Sequence, residues 1–298
     1  MNTPTIGAYF QCFKQPKSTI ATISSFRKNY PNGTIVVASD GGYDYSDISH
    51  YYGCTYVQYD RMGTDIGIVT TDRNKIITWV NRLLDAAKII PDDYIMILED
   101  DVRIYKPVES LRYDCNGINT EVRIGSRLTE FLKTRNSTIP KDCTNYYFGG
   151  CGGAIINKQF ILDNIKDIDE TITILESYQD EKMRGQYVSD YWISILILYH
   201  GGSLGPYEGF SETWHMSYSL KQHVLHTVKT AHFDKTLHNK PLSKNELAIL
   251  GRAFDNDASD YAARTTTITP FNIQHPMISM LRSRFFRLIK RYYKKLCQ

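Results

Sequence analysis

The sequence predicts an α/β fold built on a mixed, mainly parallel sheet flanked by helices, and two observations carry that expectation. Strand-like and helix-like patterns alternate along the first hundred residues. Three of the strand-like stretches also end in acidic turns: Asp40 in "ASDGG", Asp60 in "VQYD", and the run Glu99-Asp100-Asp101 in "ILEDDV". A parallel sheet gathers such ends on one rim, where α/β proteins bind their ligands.

The elements follow in order. "IGAYFQCF" reads as a strand, and "KSTIATISSFRKNY" as a helix with Ile20, Ile23 and Phe26 on one side. After the stop signal Pro31-Asn32-Gly33, "GTIVVASDGG" is a second strand closed by a turn. A short helical piece, "YSDISHYYG", leads to a third strand, "TYVQYD". "TTDRNKIITWVNRLLDAAKII" is a long helix capped by Thr71 or Asp72, burying Ile76, Trp79, Val80 and Leu83. "YIMIL" is the fourth strand, and "RYDCNGINTEVRIGSRLTEFLKTRNSTIPKDCTNYY" reads as loops around a short helix. The "AII" after the glycine-rich segment is strand-like, and "VSDYWISILIL" is a helix starting at a Ser189 or Asp190 cap, with Trp192, Ile195 and Leu196 buried.

With 298 residues, 42% of them hydrophobic and 22% charged, the chain can bury a sizeable core. A net charge of +3 gives no reason to expect a nucleic-acid partner. Six scattered cysteines without a CxxC pair read as reduced thiols, not as a disulfide frame or a zinc site. The N-terminus lacks the pattern of a signal peptide, and the longest apolar run, "YWISILILY", is too short to span a bilayer. The expectation is a cytoplasmic protein, or one peripheral at a cytoplasmic membrane face. Sequons at Asn32 and Asn136 then carry little meaning.

Three adjacent carboxylates at a strand end repel one another, and a hard cation relieves that repulsion. Carboxylate oxygens suit Mg²⁺ or Mn²⁺, which takes few protein ligands and completes its shell with water and phosphate. Asp40 and Asp60 taken singly are also explained as solvated turns. "YYFGGCGGAIIN" places four glycines in five positions, without the strand-then-helix context of a dinucleotide fingerprint. It reads as a close approach of backbone to a ligand or to a neighbouring strand, with Gly152 and Gly153 as the candidate binding positions. Asp190 is either a helix cap or a general base facing the sheet rim. His215, His223, His226, His232 and His238 form no HExxH motif. The final stretch, "MISMLRSRFFRLIKRYYKKLCQ", is a basic amphipathic helix suited to an anionic membrane, a partner, or docking on the domain itself.

Taken together, these motifs resemble those of glycosyltransferases of the GT-A (Rossmann-like) fold, in order of elements over most of residues 6 to 235. "ILEDDVRIYKPV" is similar to the acidic metal-binding DxD motif after the fourth strand, and "FGGCGGAIINKQF" to the glycine-rich segment on the acceptor side. "SDYWIS" is similar to the helix start that carries the base in inverting members, including the N-acetylglucosaminyltransferase type. "VVASDGG" is similar to the turn that holds the nucleoside. The resemblance implies a UDP-sugar donor with Mn²⁺ or Mg²⁺ on its diphosphate, and a glycan or protein hydroxyl as acceptor. Asp101 would ligate the metal directly, while Glu99 and Asp100 would hold ribose or metal-bound water. Asp40 and Asp60 would meet the nucleoside, Arg73 would approach the phosphates, and Asp190 would serve as base. The pattern H-x-x-G-x-x-K-P-W of many retaining members is incomplete in "LHTVKTAH", which weakens His226 as a metal ligand and favours inversion. The implied organisation is a catalytic domain over residues 1–262 and a C-terminal extension with the basic helix over 263–298.

Other functions remain open at this level: retaining transfer, or a non-catalytic protein binding carbohydrate or nucleic acid. A nucleotidyltransferase would need a glycine-bearing phosphate loop after the first strand, and "FQCFKQPKST" has none.

Overall fold

The computed structural model describes residues 4–63, 70–100, 102–117, 124–143, 152–181, 184–212 and 224–226. The chain begins with β1 (Ile6–Cys12), α1 (Pro16–Asn29), β2 (Ile35–Asp40), α2 (Ser46–Tyr51), β3 (Thr55–Tyr59), α3 (Arg73–Ile89) and β4 (Tyr94–Leu98). It continues with β5 (Val102–Ile104), β6 (Cys115–Gly117), α4 (Ser126–Lys133), β7 (Ile155–Asn157), α5 (Lys158–Asn164) and α6 (Ile168–Glu176). The last elements are α7 (Ser189–Tyr199), β8 (Leu204–Pro206), β9 (Phe210–Glu212) and β10 (Val224–His226).

The main sheet has seven strands in the order β3-β2-β1-β4-β7-β6-β8. β3, β2, β1 and β4 run parallel, with Ile6 opposite Tyr94 and Cys12 opposite Ser39. β7 is antiparallel to both of its neighbours, and β6 pairs parallel with β8. This is the mixed, mainly parallel, Rossmann-like sheet that the sequence predicts. A second, three-stranded sheet, β5-β10-β9, follows the acidic run.

Alternation along the strands feeds two cores, because successive side chains of a strand point to opposite faces. Tyr9, Val36, Ala38, Ile95 and Ile97 meet Trp79, Val80 and Leu83 of α3 together with residues of α5, α6 and α7. Ile6, Ala8, Phe10, Val37, Met96 and Leu98 meet Ile20, Ile23 and Phe26 of α1 on the other face. Trp79 and Trp192 are fully buried, and truncating either to Ala costs on the order of 3–5 kcal/mol.

Local chemistry fixes the helix starts. Pro16 opens α1, where its missing N–H is no loss. Asp72 caps α3 by accepting from the Asn74 amide, as expected. α7 departs from expectation: Val188 holds the N-cap position, and no side chain makes a capping bond. The helix is instead carried by burial, since every residue from Tyr191 to Tyr199 lies in the interior.

The sequon residue Asn136 is 2% exposed, and its amide donates to the carbonyls of Leu198 and Gly202. It is a structural bridge to the end of α7. Among the described residues no helix is long and apolar enough to cross a membrane. The expected boundary at residues 262/263 and the basic C-terminal stretch lie outside the described residues.

Candidate active site

The chain runs from β1 outward through β2 to β3, then returns to the far side of β1 as β4. Connections therefore leave β1 and β4 in opposite directions, opening a crevice at the carboxyl ends of these strands. A cavity of about 260 Å³ lies there, lined by Gln11, Cys12, Phe13, Lys14, Asp40, Tyr45, Glu99 and Asp100, among others. The acids at the ends of β2 and β4 thus share one cavity.

The β2 side is a tightly tied turn. Gly41 has φ +65°, in the left-handed region that glycine reaches without strain. A Cβ on Gly42 would stand 1.9 Å from the Phe13 carbonyl oxygen, so the turn packs directly on the segment after β1. Asp40 is 1% exposed and accepts at both carboxylate oxygens: Oδ1 from Arg82 Nη1 at 2.7 Å and Met62 N at 3.0 Å, Oδ2 from Arg61 Nη1 at 2.7 Å and Gly63 N at 3.0 Å. Arg61 lies over the Phe13 ring at 3.5 Å, and Arg82 over Tyr59 at 4.2 Å. Asp40, itself a lining residue, thereby holds the Arg61 guanidinium against the lining residue Phe13.

The β4 side carries the acidic turn. Glu99 and Asp100 are half-buried. The Thr22 hydroxyl of α1 sits 3.0 Å from the Glu99 carbonyl and 3.1 Å from that of Val102. Arg103, 4% exposed, donates to the Thr22 hydroxyl at 2.8 Å and to the Asp100 carbonyl at 3.1 Å. These bonds anchor the backbone of the turn. Gly152 backs the Glu99 carboxylate: a Cβ there would stand 2.7 Å from Oε1. Gly153 has φ +92°, and its Cβ would meet the Phe210 ring at 2.7 Å. The glycine pair therefore serves a close approach on two sides. The register of β10 on β5 places His226 opposite Val102, directly after the acidic run.

Two of the three adjacent acids, Glu99 and Asp100, line the cavity with Lys14; their carboxylate oxygens are the donor type a hard divalent cation takes, and an ammonium suits phosphate. Asp101 lies outside the described residues; among the described residues no group of three His, Cys, Asp or Glu side chains could hold a metal. Burial pushes the Cys12 thiol pKa well above the ordinary range, which favours the protonated thiol. Burial likewise raises the Tyr45 hydroxyl, which stays protonated while it accepts from the Gln15 amide at 3.1 Å.

The remaining candidates stand elsewhere. Asp60 is exposed and does not line the cavity, and its carbonyl accepts from Arg82 at 3.0 Å. Arg73 opens α3 but turns to α6, pairing with Asp169 at 2.8 Å and Glu176 at 3.6 Å. Asp190 is the second residue of α7, and its Oδ1 accepts from the Tyr191 amide at 2.8 Å.

Sequence reasoning passed over Arg82, Arg103, Lys14 and Tyr45. Arg82 follows Trp79 by three positions and thus lies on the apolar face of α3, a placement that signals a buried partner for its charge. Arg103 gives no such sign, because its partners are backbone carbonyls and a threonine far away in sequence.

No family model matches the sequence, and no curated protein matches it. Among solved structures, the glycosyltransferase GlyE of Streptococcus pneumoniae is similar at 11% identity and a TM-score of 0.42, over 88% of this chain and 64% of its own. TarS of S. aureus is similar at 11% identity and a TM-score of 0.39, over 75% of this chain and 36% of its own. Glucosyl-3-phosphoglycerate synthase from Mycobacterium tuberculosis, in complex with Mn²⁺, UDP and glucosyl-3-phosphoglycerate, is similar at 12% identity and a TM-score of 0.30, over 53% of this chain and 58% of its own. The chain thus spans about a third of the TarS chain and under two thirds of the GlyE chain.

Proposed function

We propose that the protein is a metal-dependent glycosyltransferase that moves a sugar from a UDP-sugar to a hydroxyl acceptor with inversion. One observation carries the reading: Glu99 and Asp100 line a cavity at the switch point of the parallel strands together with Lys14 and Phe13, the ring on which Arg61 lies. Acids alone would repel a diphosphate, and acids that hold a divalent cation attract it. Glu99, Asp100 and Asp101 would hold Mn²⁺ or Mg²⁺, with His226 on the adjacent strand edge. When bound, the metal offsets the charge of the departing diphosphate.

The chain's own groups do the rest. The Phe13–Arg61 stack offers a flat, cationic face to the nucleoside, and Asp40 positions it. Lys14 contributes charge toward the phosphates, while Gly152 and Gly153 leave room for Glu99 and for the sugar. Asp190 takes the proton of the acceptor hydroxyl as its oxygen bonds to the anomeric carbon. The bond from that carbon to the diphosphate oxygen breaks, and its electron pair leaves with the diphosphate. The proposal also keeps the acceptor as a glycan or protein hydroxyl, and an anionic membrane surface as the partner of the basic tail.

The test is hydrolysis of a panel of nucleotide sugars with Mn²⁺, with Mg²⁺ and with EDTA. Metal-stimulated release of UDP, abolished in Asp101→Ala with the fold intact, is the expected result. Undiminished turnover in EDTA overturns the metal role.

A further inference from the structure

A groove of about 500 Å³ runs along α3 beside the turn that leads from α5 into α6. Its floor is apolar: Ile77 and Leu84 of α3 are half-buried, and Ile165 and Ile168 line it from the turn. Its edge is acidic, with Asp167, Asp169 and Glu170 exposed against one lysine, Lys166. Arg73 takes Asp169 at 2.8 Å, whereas Asp167 and Glu170 enter no ion pair among the described residues. An apolar strip edged by carboxylates is complementary to a helix with an apolar stripe and flanking cations.

The chain itself carries such a segment. Over residues 281–295 the sequence places Leu281, Phe285, Leu288 and Tyr292 at helical spacing, among seven arginines and lysines and no acid. The spacing matches the groove. Ile77, Asn81 and Leu84 stand at i, i+4 and i+7 of α3, and Leu281, Phe285 and Leu288 repeat that interval, about 10 Å along a helix axis. Rows of equal spacing pack ridge into groove. About 55 residues separate His226, the end of β10, from Leu281, a length that reaches any face of the domain.

We propose that this groove docks the chain's own segment 281–295 as a helix. The apolar stripe covers Ile77, Leu84, Ile165 and Ile168, and the flanking cations meet Asp167 and Glu170. An anionic membrane, kept above as the partner of the tail, would compete with the groove for the same cations. The inference goes beyond the transferase reading and does not rest on it.

The test is photo-cross-linking of the full chain with p-benzoylphenylalanine in place of the exposed Asn81, read by mass spectrometry on a mixture of unlabelled and ¹⁵N-labelled protein. Irradiation is expected to join position 81 to a peptide within 281–295 of the same chain. Two sets of substitutions are each expected to lower the yield about threefold or more, since every pair lost is an exposed one. The first is Glu170→Lys with Asp167→Asn, the latter chosen because asparagine tolerates the left-handed backbone at φ +46°. The second is Arg287→Glu with Arg291→Glu, which leaves every groove residue in place and carries the test should the first variant fold poorly. Cross-links between labelled and unlabelled chains would make the groove an interface between copies, and products elsewhere in the chain, or none, would leave it without the tail. Either result overturns the inference, as does a yield that both sets of substitutions leave unchanged.

Discussion

Arg82 and Asp40 form a buried ion pair: Arg82 Nη1 lies 2.7 Å from Asp40 Oδ1, with side-chain exposures of 6% and 1%. The pair locks α3 to the end of β2, and Arg61 and two backbone amides occupy the rest of the carboxylate. Removing one member of a buried pair is costly because the other stays buried and charged. Arg82→Met is expected to lose about 3 kcal/mol, the lower end of the usual range, since Asp40 keeps Arg61. Urea unfolding measures it. A variant as stable as wild type would mean that the pair holds nothing together.

Gly152 yields a second prediction, on the metal. In Gly152→Ala the new Cβ would stand 2.7 Å from Glu99 Oε1 and 2.9 Å from Val102 Cγ2, so the carboxylate must swing away. Overpacking of this kind costs about 1–3 kcal/mol, which leaves the protein folded. Displacing a group that holds the metal is expected to raise the Mn²⁺ concentration for half-maximal UDP-sugar hydrolysis by about tenfold or more. A metal titration with unchanged midpoint would remove Glu99 from the metal site.

How far these features were legible in the sequence depends on the range of the forces behind them. β1 through β4 and the helices between them announced themselves because each carries an apolar run or an apolar period within five residues or more. β5, β6 and β8 to β10 have three residues each, too few to show a period, and their pairing is set by partners distant in the chain. α6 is different: Ile168, Thr171, Ile172 and Leu175 carry a helical period, so the signal was present and the sequence reading did not reach it. At the site, the acids at the ends of β2 and β4 were legible from strand ends alone. The committed state of Asp40 was not, because it needs Arg61 and Arg82 brought together by the fold. Asp60 and Arg73 read as site residues by position, but one faces solvent and the other is drawn to α6 by Asp169 and Glu176.

His200, just after α7, gives the pH dependence. Burial lowers its pKa below the ordinary 6.5, and the Arg135 charge adds to this against a weaker opposite pull from Asp167. The unfolded chain then binds the proton more tightly than the folded one. The stability contributed by neutral His200 is complete above about pH 6.5 and is lost as pH falls toward and through the folded-state value. His200→Gln is expected to flatten the fall in unfolding free energy between about pH 7.5 and 5. An unaltered slope would assign the acid sensitivity to other groups.

The last prediction concerns Asp190, on which the proposed stereochemistry depends. An attacking hydroxyl must lose its proton as it approaches the face opposite the diphosphate, and a positioned carboxylate supplies on the order of 10²- to 10⁴-fold of rate. A merely structural role would leave a different trace. The Asp190 carboxylate accepts from the Tyr191 amide at 2.8 Å, and Val188 holds the N-cap position. Asp190→Asn keeps an oxygen for that bond and removes only a charge at a helix start, worth about 0.3–1 kcal/mol. The variant is therefore expected to melt near wild type and to bind UDP normally, while kcat for transfer falls at least about a hundredfold. The product from an α-linked donor is expected to be the β-glycoside, read from the anomeric coupling by NMR. A variant that retains its kcat reduces Asp190 to a support of the α7 start, and an α-linked product excludes inversion whatever the variant does.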